Sequence, residues 1–255
     1  MDTENKYGTL EMQQRLLVLL KTFHQYAVSH HFKYSLDWGA LLGAVRHQGF
    51  IPWDDDLDVM VDRETYHQIL QTIGQDLTIE RFSRKSLWID RIRLKDSDVD
   101  WKLLPTIDLF VIDNVPDGWL SRKIQYFGMV LLMGMIKGWP EKGNLLQRSA
   151  LISAHLLGKC FPRETRAKWF HQFSQRWNHV VTAKKVCYND EIAALTLYYD
   201  ADVLDEVMLV PFEDTEVYIT KIYHHCLTAQ YGDYMKPVYR EPIHICYEEE
   251  GRRLL

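Results

Sequence analysis

An α/β (α+β) domain, with a mixed sheet flanked by helices and a helical basic insert, is the fold class this sequence predicts, on three observations. Short apolar runs of strand length alternate with stretches of helical period in the order β-α-β-α over residues 34–73. Four carboxylates, Asp54, Asp55, Asp56 and Asp58, crowd into five positions just before an apolar run that wants to be buried. Residues 119–185 differ sharply from the rest: they hold twelve Lys or Arg against two acids, +10 in a chain whose total is −5, so the remainder sums to −15.

Taken in order, Leu16, Leu17, Leu19, Leu20, Phe23, Tyr26 and Ala27 recur at helical spacing, which predicts an amphipathic helix over residues 10–31. His24, His30 and His31 lack metal-ligand spacing and read as ordinary histidines on or after that helix. A short strand is expected at 34–37, a helix at 40–47, a strand at 57–61, and a helix from Asp62 as N-cap to about residue 73, closed by Gly74. Further strands are expected at 78–82, 87–94 and 106–112, the last buried on both faces apart from Asp108 and Asp113. Short strands return after Lys185, including 207–210, and a helix is expected at 218–231, stopped by Gly232. The closing EEEGRRLL reads as solvated. The chain therefore divides into a core at 1–118, a basic, apolar helical insert at 119–185, and a completion of the core at 186–255.

Composition narrows the class. At 255 residues and 47% hydrophobic content there is enough apolar material for a sizeable core. Cys160, Cys187, Cys226 and Cys246 are scattered, which speaks against a zinc cluster or a disulfide framework and makes a reducing cytoplasm the default. The polar start MDTENKYGTLEMQQ has no leader-like pattern, and the longest apolar run, 127–136, is about half of the ~20 residues a spanning helix needs.

The chemistry concentrates in 34–62, YSLDWGALLGAVRHQGFIPWDDDLDVMVD. Side chains at spacing two on a strand share a face, so Asp56 and Asp58 point the same way. Carboxylates held side by side raise each other's pKa unless a cation sits between them, and hard oxygen donors suit Mg or Mn. A solvated acidic turn is the bland alternative. The flanks oppose it: Gly39, Gly43 and Gly49 permit close backbone approach, Arg46 offers a phosphate-pairing fork, and Pro52-Trp53 stiffens the entry. A calcium loop fails on register, with Val59 where glycine is needed and Thr65 where a bidentate Glu belongs.

GALLGAVRHQGFIPWDDDLDVMV resembles the signature of the LicD family, which includes phosphocholine transferases of bacterial glycans and fukutin-related proteins. TIDLFVIDNVP at 106–116 and YGDYMKP at 231–237 match further blocks in the expected order. The resemblance implies a nucleotidyltransferase-like fold with Gly39 on a turn, Asp56 and Asp58 as the paired acids and Asp108 as the third. Many relatives carry Ser or Thr after that glycine. This chain has Ala40, so phosphate binding there would fall to backbone N–H groups and Arg46.

The resemblance further implies transfer of a substituted phosphate from a CDP-activated donor to a hydroxyl of a glycan or lipid-linked glycan. Asp54, Asp56, Asp58 and Asp108 would hold one or two Mg (or Mn) ions, Arg46 would neutralise a phosphate, and Asp54 or Asp108 would take the hydroxyl proton. For a choline-bearing donor, Trp38, Trp53, Trp88 and Trp101 are the aromatic candidates. Two other readings stay open: a nucleotidyltransferase moving a nucleoside monophosphate, and a non-catalytic, metal-stabilised adaptor at a membrane surface. The insert suggests a peripheral membrane contact, with apolar burial around 129–136 and charge from Arg163, Arg166 and Lys168, or else a subdomain packed on the sheet. No recognised nucleic-acid module is present, so no nucleic-acid partner is expected.

Overall fold

The computed structural model describes residues 7–81, 89–95, 104–136, 145–189 and 192–239. Trp88, Trp101, the ends of the strands expected at 78–82 and 87–94, and the terminal EEEGRRLL lie outside them. The chain divides into two compact units, the first made of Met1–Glu80, Arg91–Phe110 and Asp202–Leu255, the second of Arg81–Asp90 and Val111–Ala201.

In the first unit, α1 (Leu10–Ser29) turns Met12, Leu16, Leu19, Leu20, Phe23 and Ala27 inward, the stripe its spacing predicts. β1 (Ser35–Leu36) pairs antiparallel with β2 (Asp58–Asp62), Ser35 opposite Met60 and Leu36 opposite Val59. Between them α2 (Trp38–His47) starts on Asp37 and ends on Gln48 in the left-handed region. α3 (Arg63–Thr72) is capped by Asp62, whose Oδ1 accepts from the Thr65 N–H at 2.7 Å, as expected. β3 (Leu77–Glu80) and β4 (Asp90–Leu94) are antiparallel. With the N-terminal half of β5 (Ile107–Val115), the strand order is β1-β2-β5-β4-β3.

The helix expected at 218–231 is corrected. Residues 207–212 (β8, Val207–Phe212) and 215–220 (β9, Thr215–Thr220) form a hairpin, Phe212 opposite Thr215, and only Tyr223–Tyr231 is helical (α7). The reason is period: Val217 and Ile219 are buried two apart, which a strand presents to one face and a helix does not. Glu213, at φ +53°, makes the tight turn.

In the second unit, the C-terminal half of β5 pairs with β6 (Lys184–Cys187), and β6 with β7 (Tyr198–Asp200). Asp113, expected to be a polar exception on its strand, is buried, and the Asn178 amide donates to it at 2.6 Å. Three helices follow: α4 (Trp119–Ile136), α5 (Leu145–Lys159) and α6 (Arg163–Ser174). Met129 and Met133 enter a core with Phe170, Val186, Tyr188 and Leu195. The apolar run at 129–136 is divided between the two expectations: Met129, Met133 and Met135 face inward, while Leu131 stays exposed. Arg166, read as a surface charge, donates to the Met135 carbonyl at 2.5 Å and closes the end of α4. Among the described residues, no helix is long and apolar enough to cross a membrane.

Candidate active site

The acidic loop lies in the first unit and is fixed from both sides. Gln13 on α1 donates its side-chain amide to the carbonyls of Ile51 (3.0 Å) and Asp54 (2.8 Å), and Thr9 donates to Pro52 at 2.7 Å. On the other side, Glu213 at the hairpin tip accepts from the Phe50 N–H at 2.9 Å and donates its own N–H to Gln48 at 2.7 Å. Gly43 is required where α2 meets this loop: a Cβ there would lie 2.4 Å from the Gly49 carbonyl oxygen.

β2 begins at Asp58, one residue later than expected, so Asp56 precedes the strand. The two still act on each other as their spacing predicts. Burial first, then the charges of Asp56, Asp108, Asp37 and Asp54 in that order, push the Asp58 carboxyl well above the ordinary carboxylate range. Asp55, beside them in sequence, is buried as well.

Asp37 was not singled out by its sequence position, although an Asp directly before a helical run is an N-cap signature. Its Oδ1 accepts from the Trp38 N–H at 2.9 Å and from the Gln230 side chain of α7 at 2.7 Å, and its backbone N–H donates to the Asp58 carbonyl at 3.0 Å. Trp38 then opens α2 at φ +42°, a left-handed conformation unusual for a bulky residue. Gly39 follows, so tightly covered that a Cβ would meet Asp54 Oδ2 at 2.3 Å. Ala40, next in line, is buried.

Asp108 is reached from β5, whose N–H at that residue donates to the Leu57 carbonyl at 2.9 Å. Its carboxylate accepts a two-pronged pair from Arg91, Nε at 2.6 Å and Nη2 at 3.0 Å. Burial acts to lower the Arg91 pKa, yet the hydrogen bonds and charge of Asp108, helped by Glu80 and Asp58, hold it above its ordinary value. Sequence reading missed Arg91 because its partner is on another strand. Arg46 is placed differently from the acids: Nη1 donates to the Tyr234 carbonyl of the YGDYMKP block at 2.9 Å, and burial lowers its pKa, opposed by Tyr231. Its Nε is buried with no hydrogen-bond partner among the described residues.

Of the aromatic candidates, Trp38 sits edge-on to Tyr231 at 6.0 Å. Trp53 joins Tyr7 and Tyr239 in a three-ring group with centroids 5.5–5.7 Å apart. Among the described residues, no three His, Cys, Asp or Glu side chains converge on a point that could hold a metal ion. The donor chemistry nevertheless fits a hard divalent cation: all the candidate ligands are carboxylate oxygens, and Asp58 is buried under four like charges that such an ion would offset. Arg91 does not exhaust Asp108, since an ionised carboxylate offers about four lone-pair sites and the fork takes two.

Residues 31–127 match the family described as LicD/FKTN/FKRP, nucleotidyltransferase domain. The chain is 28% identical over 256 residues to the lipopolysaccharide cholinephosphotransferase LicD of Haemophilus influenzae, an alignment covering 89% of this chain and 92% of that protein. Shorter matches occur with uncharacterized proteins of Rickettsia prowazekii, 43% identical over 60 residues, and of Rickettsia typhi, 44% over 63. Each covers 24% of this chain and less than a quarter of the other protein.

Proposed function

We propose that the chain, whose residues 31–127 match the LicD/FKTN/FKRP nucleotidyltransferase domain, is a metal-dependent transferase moving a substituted phosphate, phosphocholine or a related alcohol phosphate, from a CDP-activated donor to a hydroxyl of a cell-surface glycan or its precursor. The observation that carries this reading is the buried Asp58 carboxylate among the charges of Asp56, Asp108, Asp37 and Asp54. Asp56 and Asp58, with Asp54 and Asp108, would hold Mg or Mn. When bound, the ion supplies positive charge that offsets the donor diphosphate and the departing nucleotide.

The chain's own groups do the remainder. Asp37 takes the Trp38 N–H and so fixes the start of α2, leaving the N–H groups that follow it at this helix N-terminus to suit a phosphate oxygen. Arg91 holds Asp108 in one orientation. Asp54, half-buried above Gly39, accepts the proton of the attacking hydroxyl. The Tyr7, Trp53 and Tyr239 rings adjoin Asp54 through Trp53 and offer π faces suited to a quaternary ammonium. Arg46 braces the YGDYMKP block.

The test is to incubate the protein with Mg and a panel of CDP-activated alcohols, with CDP-choline and CDP-polyols side by side, and identify the nucleotide released. CMP supports the proposal. Pyrophosphate released from a nucleoside triphosphate would replace it with nucleotidyl transfer, and no turnover with any donor would favour the adaptor.

Gly39→Ala gives a finer prediction. The obstructing atom is the end of a flexible side chain, so the fold should hold and Asp54 should swing aside. A proton acceptor displaced by about 1 Å costs roughly a hundredfold in rate. An unchanged melting temperature with kcat lowered on that scale is expected; full activity would remove Asp54 from the chemistry.

A further inference from the structure

α4 has two apolar faces, and only one of them is packed. Inward go Met129, Met133 and Met135. Outward go Leu120, Ile124, Phe127 and Leu131, all exposed, at spacings of four, three and four residues, which places them within one narrow stripe along the helix. Trp119 stands at the N-terminal end of this stripe, 69% exposed, with the Lys123 ammonium 4.2 Å over its ring. A soluble surface scatters its exposed apolar side chains, and four in register with a tryptophan at one end are a docking face.

The charge around the stripe selects the occupant. α4 and α5 together carry Lys123, Arg148 and Lys159, besides an Arg122 turned onto the Tyr198 ring, and not one carboxylate, within a segment of net +10 in a chain of net −5. A second copy of the same face would bring like charges together. An acidic lipid surface satisfies both properties at once: apolar side chains enter the boundary between headgroups and acyl chains, a tryptophan sits at that depth, and Lys and Arg meet the anionic headgroups. We infer that α4 is an interfacial membrane anchor, lying in the plane of an anionic bilayer through Leu120, Ile124, Phe127 and Leu131. The inference concerns the second unit and does not depend on which group the acidic site transfers.

The full chain should sediment with phosphatidylcholine vesicles containing an equal part of phosphatidylglycerol, roughly tenfold more than with phosphatidylcholine alone, and release as salt rises through the range where Debye screening takes hold. Ile124→Asp with Phe127→Asp should cut that binding at least about tenfold. Both positions are exposed, so an unchanged melting temperature and unchanged nucleotide release from soluble donor are expected beside it. Brominated lipid should quench wild-type tryptophan fluorescence, with much of the effect lost in Trp119→Phe. Anionic vesicle binding that survives the double substitution, or absence of vesicle binding in the wild type, overturns the inference. So does a wild-type dimer that the substitutions dissociate without vesicle binding, which would show that a second copy covers the stripe.

Discussion

Asp58→Asn is expected to abolish divalent-ion-dependent turnover, a loss of roughly a thousandfold or more, corresponding to the several kcal/mol of charge stabilisation a bound ion supplies. The same change should leave the metal-free fold intact or firmer. Burial and four carboxylates raise the Asp58 pKa in the folded state above its unfolded value. A carboxyl shifted in that direction binds its proton more tightly when folded. It therefore favours folding at low pH, and metal-free stability falls as pH rises from the ordinary carboxylate pKa, about 3.9, toward the raised folded value. Asn cannot ionise, so that decline should be reduced in the variant. Thermal melts across pH, with and without Mg, read all of this. A variant that still gains full stability from Mg and still turns over would remove Asp58 from the metal site.

Arg91→Ala is the second large effect, and it falls on stability. It leaves the Asp108 carboxylate mostly buried, without its fork, and adding to the repulsion on Asp58. Breaking such a pair from one side costs about 3–5 kcal/mol when fully buried. Each partner here keeps about a fifth of its side-chain surface exposed, so about 1–3 kcal/mol is expected. Mg should recover part of that loss, because a divalent ion replaces the missing positive charge. Urea denaturation of wild type, Arg91→Ala and Arg91→Lys, each with and without Mg, separates the contributions, with Lys keeping charge but losing the two-pronged geometry. If the alanine variant is as stable as wild type, or indifferent to Mg, the coupling of Arg91 to the acids is wrong.

Local signals carried the site's frame. Asp62 capped α3 as its position before a helical run demands, and the alternation of Asp56 and Asp58 around buried Leu57 foretold two acids acting on each other. Arg91 was illegible because a strand's partner is set by sheet order, and nothing in DRIRL names β5 as a neighbour. Arg46 stands out in sequence by its charge and its nearness to the acids, but nothing there foretells that its Nη1 reaches a carbonyl 188 residues away. The insert's apolar run had no clean period, so its buried side was decided by α5 and α6 packing on α4 and not by the run itself. Of the hairpin at 207–220 the first strand was legible and the second was not, since Glu213 is not a residue whose presence announces a left-handed turn.

The bond from Gln230 to Asp37 spans 193 residues, and it is one of several: Tyr218 to Tyr34, Thr220 to Ser35, Glu213 to Phe50, and Tyr234 to Arg46. During synthesis, then, β1, α2 and the acidic loop leave the ribosome long before their fixing partners exist. The second unit's helices, with contacts closer in sequence, are complete in the interval. At about 5–20 residues per second, the nascent acidic loop waits on the order of ten seconds or more for β9 and α7. The first unit has the non-local topology that folds slowly, and the glutamine that bonds the aspartate at the start of α2 is among its last residues to be made. A nascent chain stalled before residue 213 should hold a folded helical insert beside an unfinished, acid-rich loop. It is at this stage of its life that the protein most needs shelter from aggregation.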